Sequence, residues 1–181
     1  MFYEADPVTN GELSYFLSIM DECKTVMEVG GRTSTTIFTR FPGLGHYFDS
    51  NTERMQILQA LPNSNYQAVF NTGECRGEDY IMEQNIDYID FLKIQTRNAS
   101  ELTVLQGFGE ELWRVQRVQF AYGQPYKAAG KTLAKVIHFL QSEGFGDFAL
   151  LSKFSKPIPM FLPNVREHYH DCNIICQRKE P

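Results

Sequence analysis

The sequence predicts an α/β fold, a three-layer sandwich around a mostly parallel sheet with an antiparallel last strand. Short apolar runs alternate with longer amphipathic segments over most of the chain, which is the pattern of βαβ units. Two early runs end in an acidic residue, and two glycines closely follow the first of them. The chain ends instead with two apolar runs joined by a loop containing three prolines, which indicates an antiparallel pair that closes the sheet.

The composition is that of one domain. A chain of 181 residues can bury about 70% of the surface that its unfolded form exposes. A hydrophobic share of 43% excludes disorder, and no segment reaches the roughly 20 apolar residues that a membrane helix requires. We therefore expect one domain over 1–181, with an N-terminal helical segment at 1–23 and the core at 24–181.

The first half of the chain is predicted to begin two βαβ units. The elements in order are helix 10–23, strand 25–29, a helix beginning within 33–41, strand 45–49 and helix 51–61. Asn51 is a favourable residue at a helix start because its side chain can accept a hydrogen bond from the first turn. Glu53 lies in that turn, where a negative charge is favourable.

The second half is predicted to complete the sheet. Its elements are strands 66–70, 89–94 and 115–122, helices 99–105 and 131–143, and strands 147–153 and 172–176. The long helix has apolar residues three or four positions apart, which form one face, and Gly144 ends it.

The ends of the first two strands indicate a site for a nucleotide-type cofactor. Glu28 lies at the tip of the first strand before Gly30 and Gly31, and Asp49 ends the second strand. The carboxyl ends of parallel strands meet at one edge of a sheet, where glycines let a ligand lie against bare backbone. A carboxylate at the second tip can accept both hydroxyls of a ribose.

Charge and cysteine usage restrict the partners and the compartment. The net charge is −5, from 22 acidic and 17 scattered basic side chains, which argues against a nucleic-acid partner. The N-terminus lacks the basic and apolar regions of a secretion signal, so we expect a cytoplasmic location. The cysteines form no CxxC pair and are predicted to be free thiols in a reducing compartment; they are Cys23, Cys75, Cys172 and Cys176.

Four motifs occur in an informative order along the chain. They are Met27-Glu-Val-Gly-Gly31, Tyr47-Phe-Asp-Ser-Asn51, Ile89-Asp-Phe-Leu-Lys-Ile94 with Glu101-Leu-Thr-Val-Leu-Gln-Gly107, and Val118-Gln-Phe-Ala-Tyr-Gly123. Together they resemble the FkbM-type S-adenosylmethionine-dependent methyltransferases over about 25–178, most specifically between 89 and 107. The resemblance implies a Rossmann-like class I methyltransferase sheet and O-methylation of a hydroxyl, most plausibly on a carbohydrate.

The resemblance also implies roles for individual residues, with S-adenosylmethionine as cofactor. Glu28 would accept from the cofactor's amino group, and Asp49 would hold its ribose. The implied cofactor contacts are Glu28, Gly30, Gly31, Asp49, Ser50, Asn51, Asn71, Thr72 and Glu74. The acceptor, a small molecule or a glycan, would meet Gln95, Arg97 and Tyr122. A nicotinamide-dependent dehydrogenase fits less well because the first turn lacks G-x-G-x-x-G.

The chain departs from the family pattern at several positions. Arg32 and Ser34 replace an asparagine and a glycine of the first turn, Gln95-Thr-Arg-Asn98 replaces Asp-Val-Glu-Gly, and Ala121 replaces a glutamate. Three carboxylates at the mouth of the site are thereby lost. Two interpretations stay open: a methyltransferase with a rebuilt acceptor site, and a catalytically inactive relative that serves as a binding or interaction module.

The catalytic residue is not defined by the sequence. Gln95 is one candidate, and His168 and His170 are two more because alternate residues of an extended segment share a face. Such a pair can also bind a metal, but two histidines without a third well-spaced ligand are more typical of a polar surface. We therefore predict no metal site.

Overall fold

Eight strands form one sheet in the part of the chain that the structure describes. The computed structural model describes residues 10–31, 41–60, 65–70, 75–96, 98–151, 157–162 and 167–179. The strands are β1 (Thr25–Gly30), β2 (Leu44–Asp49), β3 (Tyr66–Phe70), β4 (Ile89–Gln95), β5 (Val115–Tyr122), β6 (Phe145–Leu150), β7 (Ile158–Pro159) and β8 (Cys172–Arg178). Their order across the sheet is β3-β2-β1-β4-β5-β8-β6-β7.

The topology confirms a mostly parallel sheet with an antiparallel last strand. The first five strands pair in parallel, whereas β8 runs antiparallel to both β5 and β6. The sequence predicted the antiparallel pairing of β8 with β6. The observed β6 begins two residues earlier than the predicted strand. Two features were not predicted: β8 lies between β5 and β6, and β7 pairs with the outer edge of β6.

Six α-helices accompany the described strands: α1 (Glu12–Ile19), α2 (Thr52–Gln59), α3 (Gly77–Glu83), α4 (Glu101–Gln106), α5 (Gln124–Ala128) and α6 (Leu133–Ser142). Helices α1, α2, α4 and α6 confirm predicted ones, with shorter bounds. Helices α3 and α5 were missed because neither contains large apolar residues three or four positions apart. The helix expected within 33–41 falls almost entirely outside the described residues. No helix in the described ranges has the length and apolar character needed to span a membrane.

Side-chain alternation along the strands divides the core into two layers. Val26 packs with Phe16 of α1 and Leu58 of α2 on one face of the sheet. Met27, the next residue, points to the other face and joins a cluster that includes Leu105 of α4 and Leu140 of α6. Helices therefore cover both faces, which confirms the three-layer sandwich.

A buried histidine on β2 is expected to make stability depend on pH. His46 is 2% exposed, and burial lowers its pKa below the ordinary value of 6.5. Tyr80 donates its hydroxyl hydrogen to Gln67, so the Nδ1–H of His46, 2.9 Å away, donates to the Tyr80 oxygen. The unfolded chain binds a proton on this histidine more readily than the folded protein does. The free energy of unfolding should therefore fall as the pH drops from about 6.5 through the folded pKa, by at most about 1.4 kcal/mol per pH unit.

The measurement is urea unfolding of wild type and His46→Gln at several pH values between 7 and 5. We expect the variant to show a shallower loss of stability over this range, whatever its absolute stability. The matched control is His138→Gln, because His138 lies exposed on α6. If the free energy of unfolding falls equally with pH in wild type and in His46→Gln, the lowered pKa of His46 is contradicted.

Candidate functional site

A cavity of about 1070 Å³ opens at the carboxyl ends of the parallel strands. The ends of β1, β2, β4 and β5 contribute to its wall, together with the first turns of α3 and α4. Within the sheet, β2 pairs with one edge of β1 and β4 pairs with the other edge, so the direction of the strand order reverses at β1. In open α/β sheets, ligands bind outside the strand ends at such a reversal of strand order.

The glycine tip of β1 forms the floor of this crevice. Gly30 has φ +71°, in the left-handed region that glycine adopts without strain. A Cβ atom on Gly30 would lie 2.5 Å from the carbonyl oxygen of Gln95, its partner on β4. Gly30, Gly31 and Gln95 all line the cavity. The glycine thus lets the backbones of β1 and β4 approach closely at the site.

The structure corrects the role predicted for Glu28. Met27 and Val29 line the cavity, so strand alternation directs Glu28 to the opposite face, beneath α1. Glu28 is 1% exposed, and its carboxylate pairs with the ammonium of Lys93 at 3.0 Å. The prediction that Glu28 contacts a cofactor is therefore wrong in this structure, since the carboxylate does not reach the cavity.

Lys93 is the centre of a buried polar cluster that also holds α1 in place. Its ammonium lies 3.0 Å from Glu12 of α1 as well as 3.0 Å from Glu28. Asn173 of β8 donates to the other oxygen of Glu12 at 2.5 Å. Burial alone lowers the pKa of Lys93, but the two carboxylates outweigh it and raise that pKa above its usual value. Lys93 therefore stays charged.

Asp49, at the tip of β2, is held by three hydrogen bonds and an ion pair. Its Oδ1 accepts from the backbone N–H of Asn51 at 2.9 Å and from Nη2 of Arg54 at 3.0 Å. Its Oδ2 accepts from the hydroxyl of Tyr47 at 2.5 Å and lies 2.9 Å from Nε of Arg54. Asp49 is 6% exposed and lines the cavity, as predicted for a residue at the site.

Arg54 was not predicted, yet it connects the two strand tips. Asn51 begins α2, as its sequence position predicted, and its side chain caps the backbone N–H of Arg54 at 2.9 Å. This places Arg54 in the first turn of α2, facing back toward the strand ends. Its Nη1 donates to the carbonyl of Gly31 at 2.6 Å, while Nε and Nη2 face Asp49. The only sequence signal was a basic residue one turn after a helix cap.

A second carboxylate, Glu101, lies on the opposite wall of the cavity. Its Oε1 accepts from the backbone N–H of Thr96 at 3.0 Å and from the Thr96 hydroxyl at 2.7 Å. Burial raises its pKa above the ordinary value, although the bonds from Thr96 and an interaction with the Tyr126 hydroxyl oppose this. Glu101 belongs to the quoted motif, but no role was predicted for it. It shapes the loop that ends β4.

One wall of the cavity is formed where β5 meets β8. The hydroxyl of Tyr122 donates to Glu167 at 2.9 Å, and Glu167 also accepts from two backbone N–H groups at the start of α6. Asp171 accepts from the N–H of Gln124 at 2.9 Å and lines the cavity. Cys172 also lines it, but burial raises the pKa of its thiol to about 12, so this thiol is protonated and unreactive at neutral pH.

His168 and His170 lie outside the cavity wall. Both are exposed, and their rings stack with centroids 5.6 Å apart. Neither is among the residues that line the cavity. Within the described ranges, no group of three or more histidine, cysteine, aspartate or glutamate side chains is arranged to hold a metal ion. All four cysteines are free thiols, as the sequence predicted.

The structure thus brings together most of those predicted site residues that it describes. Those that line the cavity are Gly30, Gly31, Asp49, Ser50, Asn51, Gln95 and Tyr122. Those outside the described residues are Asn71, Thr72, Glu74 and Arg97, together with the substituted positions Arg32 and Ser34. The cavity residues that sequence reasoning missed are Arg54, Glu101 and Asp171.

Comparisons with known proteins identify the fold. No family model matches the chain, and no curated protein matches it in sequence. Among solved structures, it is similar to the fibrillarin pre-rRNA processing protein of Methanococcus jannaschii, at 8% identity and TM-score 0.63 over 97% of this chain and 77% of that one. It is also similar to the N-terminal domain of EvdMO1 with SAH bound, at 10% identity and TM-score 0.61 over 98% and 82% of the two chains.

A third similar structure is the precorrin-6y C5,15-methyltransferase of Geobacter metallireducens, at 12% identity and TM-score 0.57. The match covers 93% of this chain and 87% of that one. Together with the strand order and the antiparallel β8, these similarities establish the architecture. The chain has the class I fold of the S-adenosylmethionine-dependent methyltransferases.

Proposed function

We propose that the protein binds S-adenosylmethionine in the cavity at the strand ends and transfers its methyl group to a hydroxyl of a small molecule or glycan. One observation carries the proposal: a glycine tip and a carboxylate tip, on adjacent strands, line one crevice at the reversal of strand order. The structure of EvdMO1 with SAH, the demethylated product of this cofactor, supports the choice of ligand.

The residues present fit such a cofactor. A cavity of about 1070 Å³ is large enough for a nucleoside with an amino-acid side arm. Gly30 and Gly31 would let that arm lie against backbone, and Asp49 would receive the ribose, with Ser50 and Asn51 beside it. The bound cofactor supplies an activated methyl group on a sulfonium. The protein's part is to align the acceptor hydroxyl with this group and to exclude water.

The acceptor would lie against the ends of β4, β5 and β8. Gln95 and Tyr122 line this part of the cavity, as does the carboxylate of Asp171. A carbohydrate is the favoured acceptor, because the net charge of −5 disfavours RNA and because EvdMO1 has been crystallised in the presence of SAH and D-fucose. A cytoplasmic location is part of the proposal and agrees with four free thiols.

Titration calorimetry with S-adenosylmethionine and S-adenosylhomocysteine tests the cofactor assignment. We expect both to bind, and Asp49→Asn to weaken both by about tenfold or more, because charged hydrogen bonds contribute about 1.5–3 kcal/mol. The matched control is Asp87→Asn, since Asp87 is fully exposed at the opposite end of the sheet. Lack of binding by the wild-type protein would overturn the proposal.

A second candidate function is a binding module without turnover. Gln95 and Ala121 line the cavity at positions where the resemblance implies carboxylates, and this observation favours it. Mass spectrometry of candidate hexoses and deoxyhexoses after incubation with the protein and S-adenosylmethionine distinguishes the two functions. A gain of one CH₂ unit per acceptor indicates a methyltransferase, and cofactor binding without any gain across the acceptors indicates the binding module.

A further inference from the structure

The guanidinium of Arg54 covers the part of Asp49 where a ribose would have to bind. A carboxylate offers about four lone-pair sites, two on each oxygen. Asn51 and Nη2 of Arg54 donate to Oδ1, and Tyr47 donates to Oδ2, whose remaining side faces Nε of Arg54 at 2.9 Å. Asn51 donates from its backbone and Tyr47 is fully buried, so neither can leave without a change in the fold. The partly exposed side chain of Arg54 can leave by a change of rotamer.

The Arg54 fork covers the same two oxygens that a ribose diol would use. Nη2 donates to Oδ1 at 3.0 Å, and Nε lies 2.9 Å from Oδ2 as an ion pair. The vicinal hydroxyls of a ribose present two hydrogens side by side. If Arg54 withdraws, one site opens on each carboxylate oxygen, which is the number that a diol requires.

We propose that Arg54 occupies the ribose position of the site and sets its affinity, so that a nucleoside binds only by displacing the guanidinium from Asp49. This inference rests on the proposed function, because it places the ribose at Asp49. The side chain of Arg54 is 23% exposed, so the displaced guanidinium has access to solvent. Displacement also breaks the bond from Nη1 to the carbonyl of Gly31, which adds to the cost of binding.

The test is calorimetric titration of wild type, Arg54→Met and Arg54→Lys with S-adenosylhomocysteine and with adenosine. We expect Arg54→Met to bind both ligands about tenfold tighter than wild type, because neither then competes with the fork. Arg54→Lys should give an intermediate gain, since an ammonium cannot make the paired contacts of a guanidinium. Adenosine carries no amino-acid arm, so a gain shared by both ligands locates the competition at the nucleoside.

The matched control is Arg76→Met. Arg76 also lines the cavity, but its guanidinium pairs with Glu78 at 3.0 Å instead of Asp49. We expect no gain in affinity from this variant, which excludes an effect of cavity charge alone. Thermal unfolding of each variant without ligand checks that the fold is retained, and Arg54→Lys keeps the test valid if Arg54→Met does not fold.

The outcomes separate this inference from the proposed function. Tighter binding of both ligands by Arg54→Met than by wild type supports it. Unchanged or weaker binding of both ligands overturns it and leaves the cofactor proposal standing. Weaker binding of S-adenosylhomocysteine with unchanged adenosine also overturns it, since Arg54 would then hold the carboxylate of the amino-acid arm. If neither wild type nor any variant binds either ligand, the proposed function is overturned, and the inference that rests on it is overturned with it.

Discussion

Replacing Lys93 with methionine is expected to lower the free energy of unfolding by about 3–5 kcal/mol, the range for a buried ion pair that loses one partner. Lys93 is 1% exposed and is the only cation within salt-bridge distance of Glu12 and Glu28 among the described residues. Methionine matches the length of the lysine stem but removes the cation that lies beside two buried carboxylates. One of them, Glu12, anchors α1 to the sheet, so amide hydrogen exchange in α1 should also accelerate.

Urea unfolding followed by circular dichroism measures this effect. Lys135→Met is the matched control, because Lys135 is exposed on α6 and should change stability by less than about 0.5 kcal/mol. The triple variant with Lys93→Met, Glu12→Gln and Glu28→Gln should recover part of the loss, since no buried charge is left unpaired. Equal stabilities of Lys93→Met and Lys135→Met would contradict a structural role for the cluster.

Replacing Gly30 with alanine is expected to cost about 2–5 kcal/mol and to abolish nucleoside binding. Two effects add: a left-handed backbone conformation costs an alanine about 1–2 kcal/mol, and overpacking costs about 1–3 kcal/mol. The new Cβ would lie 2.5 Å from the carbonyl oxygen of Gln95, so the tips of β1 and β4 must separate. These tips form the floor of the cavity, and their separation should disrupt the site directly.

Gly130→Ala separates the two effects. Gly130 has φ +63°, close to the +71° of Gly30, but a Cβ there meets nothing within 4 Å. It should therefore show the backbone cost alone and keep the binding of S-adenosylhomocysteine. Unfolding and calorimetry of both variants give the comparison. If both variants lose equal stability and bind alike, the close approach of β1 and β4 has no energetic consequence.

Much of the fold was predictable because it depends on local patterns. Apolar runs with alternating or helical periods fixed the main strands and most of the longer helices, and Asn51 marked the start of α2. The short helices α3 and α5 were missed because their large apolar residues do not recur at helical spacing. The position of β8 between β5 and β6 was also missed. The pairing of strands that are distant in sequence depends on tertiary contacts, which the residues of a single strand do not reveal.

The site was predicted in part for the same reason. Gly30 and Asp49 were identified because glycines and carboxylates at strand ends are local signals, and both line the cavity. Glu28 was predicted to contact a cofactor, although strand alternation places its side chain on the opposite face of the sheet from Met27 and Val29. Strand alternation predicts that neighbouring side chains lie on opposite faces of the sheet. It does not predict which face α1 covers and which face opens to the cavity.

The sequence by itself determined the class of fold, and it placed Gly30 and Asp49 at the ends of the first two strands, where both line the cavity. Only the tertiary structure decided the partners of the charged side chains. Lys93 meets Glu12 from a distant helix, and Arg54 turns back onto Asp49. The physical reason is that backbone periodicity is set by neighbours along the chain, whereas a charge is stabilised by whichever opposite charge packing brings within about 3–4 Å.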